Sequence, residues 1–526
     1  MIEIVNDMHD ILKFSNDALV NSLITVSEIS DSTVENLLEN NDNILEDIFR
    51  TVSTSDHLKS YCKTHLGMVQ PKEIILDHLL HNGKRVKHSF QYVSILENLK
   101  RFLEHDDVEA DIAKDSIPSD GDILYSYKDG SAFKKNALFN SQNMALRIHV
   151  YIDDFEVCNP IGSRRSIHKL TAVYYLVGNI QTKYWSQTKN IHLAILARSK
   201  LVKIYGLGKI LAPLLADLKI LESDGINVKF YNSDRMLKGT IATISADNLA
   251  SHEVGGFRQC FASGKICRYC LAHYSKIPDY LSEEHCVIRT ADVHSSHLEA
   301  VNIDKSFSKT YGVKSRCVFE SLAYFSVTES LPPDVMHDVL EGLCPINIQL
   351  VLQSLIQQKR LTVATFNEKL DLFVFSKCDT ATKPPHLPDD FAVRGHLVGS
   401  ASQYWCLFRN LPFLLFDYIA DAYSTDNLPP FWQLHLLARD ICKIVFAPVI
   451  RKEWLFDLQQ LITEHHALLA VVDKRAFTPK LHFLVHYPRL LEVYGPLKHL
   501  WCMRFEACHQ YYKKVAKISN NYKNIA

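Results

Sequence analysis

No stretch of this sequence reaches the roughly 18 uninterrupted apolar residues that a bilayer-spanning helix needs, and the opening Met1-Ile2-Glu3-Ile4 lacks the basic-then-apolar order of a secretory signal. A soluble intracellular protein with no membrane partner is expected. Also missing is a Gly-rich phosphate loop of the P-loop or dinucleotide kind, which argues against an ATPase or a nicotinamide enzyme. No nucleophile elbow supports a serine hydrolase, and neither an internal repeat nor a low-complexity tract occurs. Charge of one sign is in short supply as well. The 58 Lys and Arg stand against 59 Asp and Glu, so the chain as a whole has no pull toward a polyanion.

What is present is a long, apolar-rich chain. At 526 residues and 47% hydrophobic it is too large for one compact core, and about two or three packed modules are expected. The 13 cysteines form no small-scaffold disulfide framework, and a reducing interior leaves such thiols free unless a metal claims them. Charge is unevenly spread: residues 1–60 are strongly acidic and residues 474–526 strongly basic, so any contact with a polyanion belongs to the C-terminal part.

Apolar residues recur at three- and four-residue steps in Ile11–Leu23 and Val93–Leu103, which predicts a helical region down to the turn-rich Ser116–Asp122. The character then changes. Short β-branched and aromatic runs predict strands at about 145–153, 169–178 and 190–197, followed by a helix at about 208–222 and a strand at about 238–246. That order is the order of a ribonuclease-H-like half sheet. Beyond 271 helical periodicity returns, with a long helix over Val335–Gln358 opened by Leu-Pro-Pro-Asp and a last one around Arg504–Lys517.

Two carboxylates fall where chemistry would place them, Asp153 at the end of the first strand and Asp247 at the end of the strand after the helix. Glu506 on the last helix is the candidate third. Two magnesium ions caged by such oxygens can hold the attacking and leaving oxygens of a phosphodiester exchange. The plain alternative is strand-end turn formers. Asp154 and Glu156 compete with Asp153; adjacent strand residues face opposite ways, so Asp153 and Asp154 cannot both point at the metals, and Asp153 is the choice with Asp154 in reserve.

Cys267-Arg-Tyr-Cys270 has the spacing that lets two thiolates grip one tetrahedral ion, and His482-Phe-Leu-Val-His486 offers two imidazoles on one helix face, with His273 in reserve. The Cys pair follows Asp247 by the same interval at which Glu506 follows the His pair, so a zinc joining them would clamp both stems of the intervening helical segment. Asp334, His337, Asp338 and Glu341 form a further polar set at helical spacing, readable as a metal or catalytic cluster or as an N-cap with acidic first-turn residues. The run Asn159–Lys169, with Arg164 and Arg165, and the C-terminal Arg504, Lys513, Lys514 and Lys517 are either phosphate contacts or solvated faces.

Four ordered motifs carry a family resemblance: Tyr151-Ile-Asp-Asp-Phe-Glu-Val-Cys-Asn-Pro-Ile-Gly-Ser163, Ala246-Asp-Asn-Leu-Ala-Ser-His-Glu-Val-Gly-Gly-Phe257, Pro332-Pro-Asp-Val-Met-His-Asp-Val-Leu-Glu-Gly342 and Arg504-Phe-Glu-Ala-Cys-His-Gln510. Over about 120–526 the chain resembles the metazoan relatives of the CACTA (En/Spm-like, CMC superfamily) DDE transposases. The layout is also similar to that of the catalytic subunit of the V(D)J recombinase, where a zinc joins the Cys and His pairs. The resemblance implies an α/β plus α fold, with a ribonuclease-H-like mixed sheet core interrupted by a long mainly helical insertion. The segments expected are an acidic helical region at 1–120, the first part of the core at 121–260, an insertion with zinc-clamped stems at 261–480 and the rest of the core at 481–526. It further implies two-metal cleavage and joining of DNA by Asp153, Asp247 and Glu506 with Mg2+ or Mn2+, and Zn2+ on Cys267, Cys270, His482 and His486. Double-stranded DNA, at transposon ends and target, is the implied partner, in the nucleus and as a homo-oligomer; a catalytically silent DNA- or protein-binding scaffold is the alternative.

Overall fold

In the computed structural model, which describes residues 54–81, 84–115, 121–142, 144–157, 168–231, 233–424 and 428–519, the β-branched and aromatic runs become the middle of a six-stranded mixed sheet. Its strands are β1 (Lys72–His81), β2 (Lys84–Tyr92), β3 (Leu146–Glu156), β4 (Lys169–Val177), β5 (His192–Arg198) and β6 (Gly239–Ser245). In space they run β1-β2-β5-β4-β3-β6. β2 with β5, β5 with β4 and β4 with β3 are antiparallel, whereas β6 joins β3 in parallel. A parallel partner needs a crossover, and α1 (Leu207–Ser223) supplies it by burying Ile210, Leu211, Leu214, Leu218 and Leu221 as one stripe. Nearly every residue of β3, β4 and β6 is buried, so both faces of the sheet are covered there and the strands read as continuous apolar runs.

The chain divides into two units, Met1–Lys72 and Glu73–Ala526. In the first, the described helix is Ser55–His65, capped by Thr54 Oγ1 accepting from the His57 amide at 3.1 Å. The predicted helix Ile11–Leu23 and most of the basic run at 159–169 lie outside the described residues. A region helical throughout to residue 120 is not what forms: Lys72–His81 and Lys84–Tyr92 are strands. Their polar-studded sequence is weak in period-two signal, and pairing of Gln91 and Tyr92 with Leu196 and Ile195 on β5 decides the conformation. A polar hairpin, Ile226–Phe230 with Ser233–Leu237, likewise sits unannounced between α1 and β6.

From α2 (Asn248–Val254) onward the chain is mainly helical. The long apolar stretch opens as a π-helix, Met336–Leu343, and continues as α3 (Cys344–Gln357). Met336–Gln357 is long and apolar enough to cross a membrane, and 61% of its most apolar stretch is buried within the protein. Helices Pro430–Val445 and Glu453–Val472 pack on one another, and the antiparallel bridge of Ile450-Arg451 to Ile123-Leu124 ties this part to the segment before β3. Three short elements close the molecule: α4 (Pro479–Leu484), α5 (Tyr487–Tyr494) and α6 (Met503–Ser519).

Within helix Pro430–Val445, His435 is fully buried between Trp432 and Phe408, with ring centroids 4.9 and 4.7 Å away, and neither ring nitrogen has a partner among the described residues. Burial pushes its pKa down to about 3. The unfolded chain takes this proton near pH 6.5 while the folded one refuses it, so stability is lost as pH falls below about 6.5. His435→Leu is expected to lose about 1 kcal/mol less than the native chain between pH 7.5 and 5.5. Chemical denaturation at the two pH values measures this; equal losses would show that His435 titrates in the fold.

Candidate metal centre and active site

Cys267 and Cys270 lie on an irregular loop, and His482 and His486 come from the far end of the helical segment, yet their four ligand atoms all stand within 4.8 Å of one another in a buried cluster. Cys267 Sγ is 3.5 Å from His486 Nε2 and Cys270 Sγ is 3.3 Å from His482 Nε2. Such edges suit a tetrahedron with metal–sulfur distances of about 2.3 Å and metal–nitrogen distances of about 2.1 Å. Two sulfurs and two imidazoles, fully shielded from water, could hold a metal such as zinc. The surroundings favour ionisation of one sulfur, Cys267, while burial and the neighbouring Cys267 and Cys286 hold the Cys270 thiol well above its usual range. Burial opposes ionisation of Cys267, but its hydrogen bond to Cys270 and the charge of His486 outweigh it and hold the thiol well below its usual range. Behind His486, Nδ1 donates to Glu283 Oε1 at 2.6 Å, and Arg489 Nε donates to the same carboxylate at 2.9 Å, the arrangement that orients a ligating imidazole.

The two imidazoles do not share one helix, contrary to expectation. α4 ends at Leu484 and Pro488 starts a new helix, but Val485 and His486 keep right-handed helical angles, so the tight turn still delivers both rings. His273, the reserve ligand, is exposed and bonds Ser275 instead. Cys286, unnoticed in the sequence, hydrogen-bonds Cys270 from the cluster's margin.

The carboxylates meet through strand register. Tyr151 of β3 is level with Ser245 of β6 in the parallel pair, and Asp153 and Asp247 follow each by two residues. Asp153 is still within β3, whereas Asp247 lies two residues past the end of β6 in extended backbone as the N-cap of α2, near enough for its charge to act on Asp153. Asp247 Oδ1 accepts from the Ala250 amide at 2.6 Å. Burial pushes Asp153 up to about 6, with the Tyr151 hydroxyl bond (2.9 Å) opposing and the Asp247 charge adding. Asp154 also lines this edge but is engaged by Lys169 Nζ at 3.4 Å and by the Thr171 hydroxyl, whereas Asp153 is the carboxylate that His509 of α6 approaches.

α6 lies across β3 by aromatic stacking. Phe505 stacks on Tyr151 (4.7 Å, 7°) and His509 on Phe155 (4.2 Å, 12°), with His509 Nδ1 3.8 Å from Asp153 Oδ2. This places Glu506 at the rim of an open pocket of about 460 Å³ whose lining includes Asp153, Glu341, Glu506, Gln510 and Lys513. Burial pushes Glu506 up to about 7, with His337 opposing and the charges of Asp153, Asp334 and Glu341 adding. The polar set on the π-helix splits. Asp338 is fully buried and structural, accepting from Asn248 Nδ2 (2.6 Å) and the Tyr487 hydroxyl (3.1 Å), whereas His337 and Glu341 turn toward Glu506.

The metal cluster and the acids are joined by buried hydrogen bonds. Arg268, beside Cys267, donates to Asn248 Oδ1 (2.8 Å) and the Pro332 carbonyl (3.1 Å), and the Tyr269 hydroxyl donates to the Leu331 carbonyl (3.0 Å). Asp334 Oδ1 accepts from the Cys502 amide at 3.0 Å, and Ser245 Oγ donates to the Leu500 carbonyl at 2.8 Å, fixing the approach to α6 from two sides.

No family model matches the chain, and no curated protein matches it.

The purified protein is expected to carry about one tightly held zinc or similar thiophilic ion per chain, with Cys270→Ser losing it and lowering the melting temperature. Glu283→Gln, one shell removed, is expected to weaken metal affinity on the order of 10–100-fold. Elemental analysis with chelator competition reads both; a metal-free chain of unchanged stability would remove the centre.

Proposed function

We propose that this chain is a metal-dependent DNA nucleotidyltransferase of the cut-and-paste DDE transposase type on a ribonuclease-H-like core, with Asp153, Asp247 and Glu506 as its carboxylate set. One observation supports the reading: Asp153 and Glu506, from distant parts of the chain, line one open pocket, and the charge of Asp247 acts on Asp153 while that of Asp153 acts on Glu506. Repelling carboxylates at an open pocket are what a cation site presents before the cation arrives. Mg2+ or Mn2+ bound there would supply Lewis-acid stabilisation of the attacking and leaving oxygens of a phosphodiester.

The chain's own residues do the positioning. In this reading Asp153 is presented by β3 and Asp247 by the turn just after β6, and stacking of Phe505 on Tyr151 sets Glu506 on the Asp153 side. Gln510 and Lys513, one and two turns further along α6, line the pocket where a phosphate backbone would run. A zinc on Cys267, Cys270, His482 and His486 would clamp the two stems of the helical segment and so keep α6 in place. Double-stranded DNA is the partner in this reading, with a homo-oligomer acting in the nucleus. A second reading, a catalytically silent scaffold, draws on Asp247, whose carboxylate already serves as a helix cap.

Asp247→Asn separates these readings, because Asn caps a helix as well as Asp does while removing the charge. The fold is expected to survive and Mg2+-dependent nicking of duplex DNA to fall by about a hundredfold or more. Nicking that persists in the variant overturns the carboxylate assignment, and a native protein without nicking favours the scaffold. Strand-transfer products in a plasmid assay distinguish a transposase from a plain nuclease.

A further inference from the structure

We infer that His337 is a metal ligand, and that its Nε2, with Glu341 and Glu506, forms a mixed nitrogen–oxygen site for a divalent transition-metal ion. The inference rests on the proposed carboxylate set only in sharing Glu506 with it.

The geometry begins on the far side of the ring. His337 Nδ1 lies 2.5 Å from Asp334 Oδ2, and Asp334 is itself buried and fixed by the amides of Cys502 (3.0 Å) and Met336 (3.2 Å). A carboxylate locked on one ring nitrogen fixes the ring and aims the other, the arrangement by which proteins orient a ligating imidazole, and an ion taken up at Nε2 would replace the proton that gives the ring its charge beside Glu506. Nε2 then faces two more carboxylates, Glu506 Oε1 at 3.7 Å and Glu341 Oε2 at 3.9 Å. These separations are too long for hydrogen bonds. They exceed by a few tenths of an ångström to about 1 Å the roughly 3.0–3.4 Å between neighbouring ligand atoms that each stand about 2.1 Å from one ion, a gap that rotation of the two partly exposed Glu side chains would close.

Asp334, His337 and Cys502 also lie within 4.8 Å of one another, but the short Nδ1–Asp334 contact leaves no room for an ion between those two atoms, so the open position is on the Nε2 side. That side is reachable from solvent. Glu341 and Glu506 are each about one-third exposed and both line the 460 Å³ pocket. Lys480, the other neighbour of Glu341, is anchored on its main-chain carbonyl at 3.0 Å, with its Nζ 3.8 Å from the carboxylate. His337 and Glu341 stand on the π-helix, a backbone form that often marks functional sites.

An imidazole nitrogen changes the ion preferred. Carboxylates alone suit Mg2+ and Mn2+, whereas an imidazole nitrogen shifts preference toward the later first-row ions such as Fe2+, Ni2+ and Zn2+, with Mn2+ the spectroscopically readable ion that accepts both ligand types.

The test uses the full-length, zinc-loaded protein with Mn2+ as probe, read by electron paramagnetic resonance and its pulsed nitrogen-coupling measurement. Bound Mn2+ is expected to show 14N coupling. His337→Gln is expected to remove that coupling and weaken Mn2+ binding on the order of tenfold or more, and Glu341→Gln to weaken binding while keeping the coupling. Melting temperatures report whether each variant is folded, and Glu341→Gln, at a partly exposed position, provides an arm independent of the buried histidine. Failure of Mn2+ to bind, binding without 14N coupling, coupling that persists in His337→Gln, or binding unchanged in both variants overturns the inference. Nitrogen coupling with no DNA cleavage under any metal sinks the nucleotidyltransferase reading and leaves this site standing. Cleavage lost in Asp247→Asn with no nitrogen coupling in the native protein sinks the histidine ligand alone.

Discussion

Arg268, Asn248, Asp338 and Tyr487 form one buried hydrogen-bonded chain on which the arrangement of both centres depends. Three of its members directly follow a residue of one centre or the other, Arg268 after Cys267, Asn248 after Asp247 and Tyr487 after His486. Arg268 and Asp338 are almost completely buried. Removing one member leaves a buried hydrogen-bonding partner unsatisfied at a cost of about 1–3 kcal/mol, so these groups hold together or fail together. Burial pushes Asp338 up to about 6, against the pull of Asn248 and Arg268. The thiolate loop, the end of β6 and the start of α5 are thereby one rigid unit.

From that unit the constraint spreads to the third acid. Arg268 and Tyr269 grip the carbonyls of Pro332 and Leu331, just ahead of Asp334. Asp334 in turn holds the Cys502 amide at the foot of α6 while orienting His337. The Ile244 amide donates to the Ser330 carbonyl at 2.8 Å, so β6 and the segment leading into the π-helix are fastened directly. Glu506 is thus placed by two independent supports, the stacking of Phe505 on β3 and the anchoring of Cys502 on Asp334. A helix end held at both points has little freedom to carry Glu506 away from Asp153.

The Cys/His cluster stands at the opposite end of the same hydrogen-bonded chain. Its thiols and imidazoles are inaccessible to solvent and bonded to one another in pairs, which makes it a structural closure with no open coordination position in the protein shell. The carboxylate pocket has the contrary character, being open, polar and lined by groups that repel one another. One chain therefore builds a closed site and an open one on either side of a shared core.

The local half of this design was legible in the amino-acid order. Strands 146–156, 169–177, 192–198 and 239–245 show because a doubly covered sheet demands unbroken β-branched and aromatic runs, and the helix 207–223 shows because its buried stripe repeats at 3.6 residues. The Cys and His pairs show because each spans only a few residues. The edge strands Lys72–His81 and Lys84–Tyr92 did not show, since their conformation depends on a sheet assembled from later residues. Asp153 and Asp154 could not be told apart by local pattern, and their different neighbours, His509 of α6 for Asp153 and Thr171 and Lys169 of β4 for Asp154, come only from the tertiary structure. The place of His337 was likewise beyond local pattern: its helix position is written in residues 332–342, but its nearness to Glu506 comes from the folding back of α6, a contact between remote segments that spacing along a chain cannot encode.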